Sequence, residues 1–287
     1  MNATPALTLL SRRFPAKRVF ITGAGSGLGR ALALEFAAAG WQLGIADISA
    51  ERLVSVAAEL RAGGAASVST HAGDVAAEPF VTQALDEFVA ACGGIDVLIN
   101  NAGVAVAGAV DATPVADWRW IVDINLLGVV WGCRAALPAM RRQGSGLILN
   151  IASSAGYASA PSMAPYNMTK AAVISLSETL AAELDTAGIH VSCAMPGFFR
   201  THLLDSMRAP AEENAMAHQL MDHSGHDPVE AARAILAATA RGKLYVIWPR
   251  EYRLLWRLKR WFPHWYLGRV RGFRDAQLRR AASRPPG

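Results

Sequence analysis

Cysteine is scarce in this chain and falls without pattern: Cys92, Cys133 and Cys193 are far apart, odd in number, and make neither a CxxC pair nor a Cys/His set at ligand spacing. No disulfide framework and no metal site are expected, and free thiols suit a reducing, cytoplasmic setting. A long apolar run is also missing from the start. Leu7, Leu9 and Leu10 are followed at once by Arg12 and Arg13, so residues 1–16 read as a short leader, neither signal peptide nor membrane span. Repeats and low-complexity segments are absent. Acidic residues are nearly missing from the end: residues 241–287 hold 13 Lys/Arg against Glu251 and Asp275, a balance of +11 within a total of +5. The first 240 residues are therefore acidic, and the basicity belongs to the tail.

What is present is enough apolar sequence, 52% of 287 residues, for one large core. Strand-like and helix-like stretches alternate, which predicts a single-domain α/β fold over 17–249, a doubly wound parallel sheet with helices on both faces. Strands are expected at 18–22, 41–47, 67–71, 95–100, 146–152, 189–195 and 244–248. Helices are expected at 28–39, 50–61, 80–91, along 115–141, from the serine-rich segment near 162 to 184, and at 228–240, with 198–227 irregular or weakly helical. A basic helical extension occupies 250–287.

Between the first strand and first helix stands Thr22-Gly23-Ala24-Gly25-Ser26-Gly27-Leu28-Gly29. Glycines in a strand-turn-helix context let backbone approach a pyrophosphate at the helix N-terminus. Asp47 closes the second strand and can accept hydrogen bonds from ribose hydroxyls while repelling a 2′-phosphate. Ile48 follows it, and the glycine turn carries no Lys or Arg. NAD(H) is therefore the preferred cofactor; Arg52, the nearby cation, keeps NADP(H) open. Gly73-Asp74-Val75 and Asn100-Asn101-Ala102-Gly103 end the third and fourth strands, on the edge where an open parallel sheet places its ligand. Asp74 and Val75 are expected towards adenine, and Asn100 or Asn101 with Ala102 and Gly103 on the ribose side.

Thirteen residues after Ser153 comes Tyr166-Asn167-Met168-Thr169-Lys170. On a helix, positions four apart share a face, so the Lys170 ammonium can stand beside the Tyr166 phenol and favour its phenolate. That pair suits proton transfer at neutral pH.

TGAGSGLG, Asp74, NNAG, Asn125, Ser153, YNMTK and PGFFRT, in this order from Thr22 to Thr201, resemble the short-chain dehydrogenase/reductase family. The resemblance implies an oxidoreductase in which Tyr166 is the general acid/base and Lys170 lowers its pKa and bonds the nicotinamide ribose. Ser153 would orient the substrate oxygen, with Ser154 one position nearer the tyrosine than the family spacing. Asn125 would hold a water linking the lysine to solvent, or else bond backbone at a helix distortion. Pro196, Gly197 and Thr201 would lie beside the nicotinamide carboxamide. It also implies homodimers or homotetramers through the helices beginning near Val115 and Ser162.

The substrate pocket is expected from Ala155 to Met163 and Phe198 to Met221. Phe198, Phe199, Leu203, Leu204, Met207, Met216, Leu220 and Met221 favour an apolar secondary alcohol or ketone. An NADP-linked 3-oxoacyl-type reductase and a non-catalytic NAD(H)-binding regulator are the rival readings. His218, His223, His226 and Asp227 read as a polar loop with Asp227 capping a helix opened by Pro228. In the tail, Leu254, Leu255, Leu258, Trp261 and Phe262 would share one helical face bordered by Arg253, Arg257 and Arg260, with Pro263 breaking the helix. Such a face suits an anionic membrane surface, the protein's own domain or another subunit. No nucleic-acid reading motif accompanies the charge.

Overall fold

The computed structural model describes residues 4–199 and 201–282, so residues 1–3 of the leader, Arg200 of the PGFFRT motif and residues 283–287 of the extension lie outside it. Seven parallel strands form one sheet in the order β3-β2-β1-β4-β5-β6-β7. They are β1 (Arg18–Thr22), β2 (Gln42–Asp47), β3 (Ser67–Ala72), β4 (Val97–Asn100), β5 (Gly146–Ile151), β6 (Ile189–Pro196) and β7 (Tyr245–Trp248). Parallel strands need crossovers, and helices supply them: α2 (Gly27–Ala38), α3 (Ala50–Ala62), α4 (Glu78–Cys92), α5 (Val115–Val122), α6 (Gly128–Gln143), α8 (Ala164–Leu184) and α10 (Pro228–Thr239).

The period of two along each strand explains why both faces are covered. Val19 and Ile21 of β1 join Leu43, Ile45, Val97, Ile99, Leu147 and Leu149 in one core, against Leu32 and Phe36 of α2, Leu53 and Leu60 of α3, and Ile235 of α10. Phe20, between them, enters the opposite core with Leu98, Ile148, Cys193 and Met195, under Leu85 and Phe88 of α4, Met140 of α6 and Val173 of α8. The leader is helical where it is described: α1 (Pro5–Arg13) buries Leu7 and Leu10 in the first core, with Phe14 just beyond it.

The single long helix expected along 115–141 is three pieces. A π-helical segment, Asp123–Leu127, separates α5 from α6, and fully buried Asn125 sits within it. Although this stretch is apolar and long, it packs in the core, burying Val129, Cys133 and Ala136 against the sheet and Ile121 in a smaller cluster with Ala105, Val106 and Tyr166. Part of the 198–227 segment is more regular than expected, because α9 (Ala211–Asp222) forms a full helix there. In the extension, α11 (Glu251–Trp261) and α12 (Pro263–Ala282) meet at Pro263, where the expected break falls.

The chain starts in the middle of the sheet, runs outward through β2 and β3, then returns past β1 to β4. That reversal leaves a crevice beyond the carboxyl ends of β1 and β4.

Candidate active site

The crevice opens into a cavity of about 1760 Å³, lined from the glycine turn at one end to α12 at the other. At the turn, Gly23 adopts a φ of +64°, and a Cβ there would lie 2.7 Å from the Ala102 Cα. Gly29 packs against the Gly23 carbonyl, where a methyl group has no room. These glycines draw α2 tightly against the end of β1. Ser26, the residue before α2, uses no side chain to cap it, so backbone N–H groups of the first turn face the cavity beside Ser26, Gly27 and Leu28. Free donors at a helix N-terminus and a glycine cradle fit a dinucleotide pyrophosphate.

Thr22 and Gly25 serve the frame of this site and do not line the main cavity. The Thr22 hydroxyl accepts from the backbone N–H groups of Asn101 and Ala102 at 3.0 and 3.1 Å, tying β1 to the loop after β4. Gly25 donates its N–H to Asp47 Oδ2 at 2.9 Å. The other oxygen of this buried carboxylate accepts from Ser49 N at 3.0 Å and from Arg52 at 2.8 Å. Asp47 and Ile48 both line the cavity, as do Asp74 and Val75. The Arg52 side chain is half exposed, so the cation is held by Asp47 at the rim.

Asn100, expected with Asn101 on the ribose side, does not line the cavity. As the last residue of β4 it points into the second core, where its Nδ2 donates to Asn150 Oδ1 at 2.9 Å. One residue further along, Asn101 lines the cavity with Ala102 and Gly103, and its amide donates to the carbonyls of Thr22 and Gly23. A shift of one position exchanges faces.

The proton-transfer candidates converge at the centre. Ser153 follows β5, and Tyr166 and Lys170 project from α8 with 7% and 4% exposure. Lys170 Nζ lies 5.7 Å from the centre of the Tyr166 ring and donates to the Ile151 carbonyl at 3.0 Å. The Ser153 hydroxyl interacts with the Tyr166 phenol and accepts from Ala155 N at 3.2 Å. Burial dominates both titrating groups. The phenol is pushed up to about 12, with Ser153 opposing the shift, and the ammonium falls to about 8. The depression of Tyr166 expected from Lys170 is therefore not found in the ligand-free chain: desolvation sets the direction, and what opposes it is the hydrogen bond with Ser153.

Asn125 does not line the cavity. Its Oδ1 accepts from Val104 N at 2.8 Å while its Nδ2 donates to Val104 O at 2.9 Å, a two-point clasp between the π segment and the loop after β4. Of the two readings of Asn125, the bonds found are those of backbone clasping at a helix distortion. Pro196, Gly197 and Thr201 complete the rim after β6. Gly197 is packed against the Tyr252 ring of α11, which explains the missing side chain there.

The remaining wall is largely apolar, with Asp205, Glu212, Glu213 and Gln219 among its lining. Phe199, Leu203, Leu204, Met207, Met216, Leu220 and Met221 line it, opposite Trp120 of α5. Arg208 fastens this segment down: its guanidinium stacks 3.7 Å over Trp120 and pairs with Asp117 at 2.8 Å, while its backbone bonds Ala105 and Ala107. Sequence spacing gave no sign of this latch. Nor did it place Tyr252, Leu255, Tyr266 and Val270 of the extension in the same wall. Their signal was the 3–4 spacing of α11, read as one apolar face without knowing which neighbour it meets.

The loop histidines are occupied locally. His223 Nδ1 lies 2.6 Å from Gln219 O, His226 pairs with Glu230 at 2.9 Å and packs on Trp248. Asp227 caps α10 by accepting from Val229 and Glu230 N–H groups, as its position before Pro228 predicts.

A family model described as short chain dehydrogenase matches residues 17–212. The chain is 32% identical over 228 residues to 3-oxoacyl-(acyl-carrier-protein) reductase FabG of Staphylococcus aureus, covering 79% of this chain and 92% of that one. It is 38% identical over 184 residues to 2-(R)-hydroxypropyl-CoM dehydrogenase of Xanthobacter autotrophicus, covering 63% and 74%. A short chain dehydrogenase/reductase from Burkholderia phymatum, solved in complex with NAD, superposes with a TM-score of 0.81 at 32% identity, over 85% of this chain and 92% of the other.

Proposed function

The chain belongs to the short-chain dehydrogenase family, an oxidoreductase family using nicotinamide cofactors, and from that premise we propose an NAD(H)-dependent enzyme acting on an apolar secondary alcohol or ketone. The observation that carries this reading is the burial of Tyr166 with Lys170 and Ser153 at the cavity centre, between the glycine turn and an apolar wall. The cofactor supplies the hydride acceptor or donor.

In the reductive direction Tyr166 gives its proton to the substrate oxygen, and in the oxidative direction it takes one back. A phenol kept neutral by burial is ready for the first task. Ser153 donates a hydrogen bond to the same oxygen and stabilises charge developing there. Lys170, anchored by Ile151, holds positive charge beside the phenol and a donor towards the cofactor ribose. Asn125 acts at a distance, keeping Val104 and the adjoining Gly103 in register. Ser26, Gly27 and Leu28 hold the pyrophosphate, Asp47 the adenosine ribose, Asp74 and Val75 the adenine, and Pro196, Gly197 and Thr201 the carboxamide end.

Asp47 favours NAD(H), since a 2′-phosphate would meet its carboxylate. One observation favours a second reading, an NADP(H)-linked 3-oxoacyl-type reductase: Arg52 stands half exposed at that same point. We place the enzyme in the cytoplasm as a homodimer or homotetramer through α5, α6 and α8.

Steady-state rates with NADH and NADPH across apolar ketones and acyl thioesters test the reading. NADH with an apolar ketone should give the highest kcat/KM, and Tyr166→Phe should lower turnover by roughly 100-fold or more while NADH binding persists. Turnover confined to small polyols, or unchanged in Tyr166→Phe, overturns it.

A further inference from the structure

The C-terminal helix pair has two faces of different chemistry. Its inward face is satisfied: Leu255 and Trp256 pack on the second core, and Tyr266, 5% exposed, donates its hydroxyl to Ala158 O at 2.9 Å. Lys259 reaches the Ser159 hydroxyl at 2.6 Å. The structure thus divides the apolar face expected from sequence, because Leu254 lies outside while Leu255 lies within.

The outward face holds Leu254, Trp261, Phe262 and Trp265 at 63%, 75%, 56% and 56% exposure. Leu254 and Trp261 are two helical turns apart, on one side of α11. Beside them Arg250, Arg253, Arg257 and Arg260 recur every three or four residues, and all four are exposed, although Arg253 also donates to the Ile247 carbonyl at 3.3 Å and Arg260 lies over Trp256, 5.4 Å from its ring centre. Two tryptophans and a phenylalanine facing water lose the benefit of burial, and an arginine ridge alongside repels its own kind. Both costs fall away at a surface that is apolar beneath and negatively charged above. An isologous contact with a second copy would relieve the first cost and raise the second, since it brings two tails of +11 together.

We propose that the outward face of α11 and the first turn of α12 is a peripheral docking surface for an anionic phospholipid bilayer. Leu254, Trp261, Phe262 and Trp265 enter the headgroup boundary, and the arginine ridge meets the lipid phosphates. Because Tyr266 and Val270 of α12 line the large cavity, a docked helix pair holds that part of its rim close to the membrane. Docking is independent of the substrate reading, since vesicle binding needs no turnover.

The test is co-sedimentation of the full-length protein with phosphatidylcholine vesicles, with and without phosphatidylglycerol, at low and high salt. Binding should require phosphatidylglycerol, weaken with salt, and shift tryptophan emission to the blue. Trp261→Ala with Trp265→Ala, and separately Arg250→Glu with Arg257→Glu, should each lower the partition coefficient by about tenfold or more with unchanged thermal melting. Equal binding to both vesicle types, no binding to either, or wild-type partitioning by both variants overturns the proposal. So does a change from dimer to monomer in the tryptophan variant, which would assign the face to a second copy.

Discussion

Lys170 donates its ammonium to the Ile151 carbonyl at 3.0 Å while standing 5.7 Å from the centre of the Tyr166 ring, so one buried cation joins the end of β5 to the face of that ring. The amine is held over the phenol ring at the expense of its own hydration.

Lys170's own contribution to stability should rise with pH over the interval in which it titrates. Its folded pKa of about 8 lies below the ordinary 10.5, so the unfolded chain binds more protons at this group between those values. That contribution is full above 10.5, declines as pH falls, and is absent below 8. From pH 8 to 9.5 it amounts to about 1.5 kcal/mol. The buried Cys133 and Cys193 thiols, pushed up to about 12, act in the opposite direction over the upper part of this range, so the Lys170 contribution is read as the difference between urea melts of the wild type and of Lys170→Met. A difference that does not change with pH would show that Lys170 is not the group responsible.

Asp47 holds the glycine turn and, in the proposed function, sets the cofactor preference. Its carboxylate accepts from Gly25, Ser49 and Arg52, so Asp47→Ala orphans two backbone N–H groups and releases the arginine. The ratio of kcat/KM for NADH over NADPH should fall by roughly tenfold or more. Stability should drop by about 1–3 kcal/mol, because a buried donor loses its partner. A ratio unchanged within error would mean that Asp47 only shapes the turn.

Gly29 tests the cradle without touching any charge. A methyl group there runs into the Gly23 carbonyl and Asn101, both of which are fixed by other bonds. Gly29→Ala should cost about 1–3 kcal/mol and weaken NADH binding, measured by fluorescence titration, by about tenfold or more. Wild-type affinity in this variant would show that the turn yields more easily than its bonds suggest.

Local pattern carried the sheet because each strand alternates between two cores, and Val19, Phe20 and Ile21 state that alternation within three residues. It carried the cavity lining where local geometry is rigid, as at the Gly23 turn and at Tyr166 and Lys170, four apart on α8. It failed where tertiary bonds decide. The π segment has ordinary helical composition, and its extra residue per turn is fixed by the clasp of Asn125 on Val104. Asn100 and Asn101 are chemically identical, so only the pleat tells core from cavity. Arg208 stacks on Trp120 across 88 positions, beyond the reach of any local spacing.

Tyr266 offers the last prediction, because it joins the extension to the cavity wall. Its ring is buried and its hydroxyl bonds Ala158 O, at the end of the short helix α7 (Ala155–Ala158) that follows Ser153. Tyr266→Ala removes both attachments and should cost about 3–5 kcal/mol of packing around α12. Because Ser153, Tyr166 and Lys170 keep their partners, kcat on a small ketone should change less than about twofold. A bulky apolar ketone loses part of its wall, so its KM should rise several-fold while NADH affinity stays the same. Tyr266→Phe keeps the ring and gives up one hydrogen bond, about 1 kcal/mol, and should restore most of the KM. If the alanine variant treats bulky and small ketones as the wild type does, α12 packs beside the cavity without shaping what enters it.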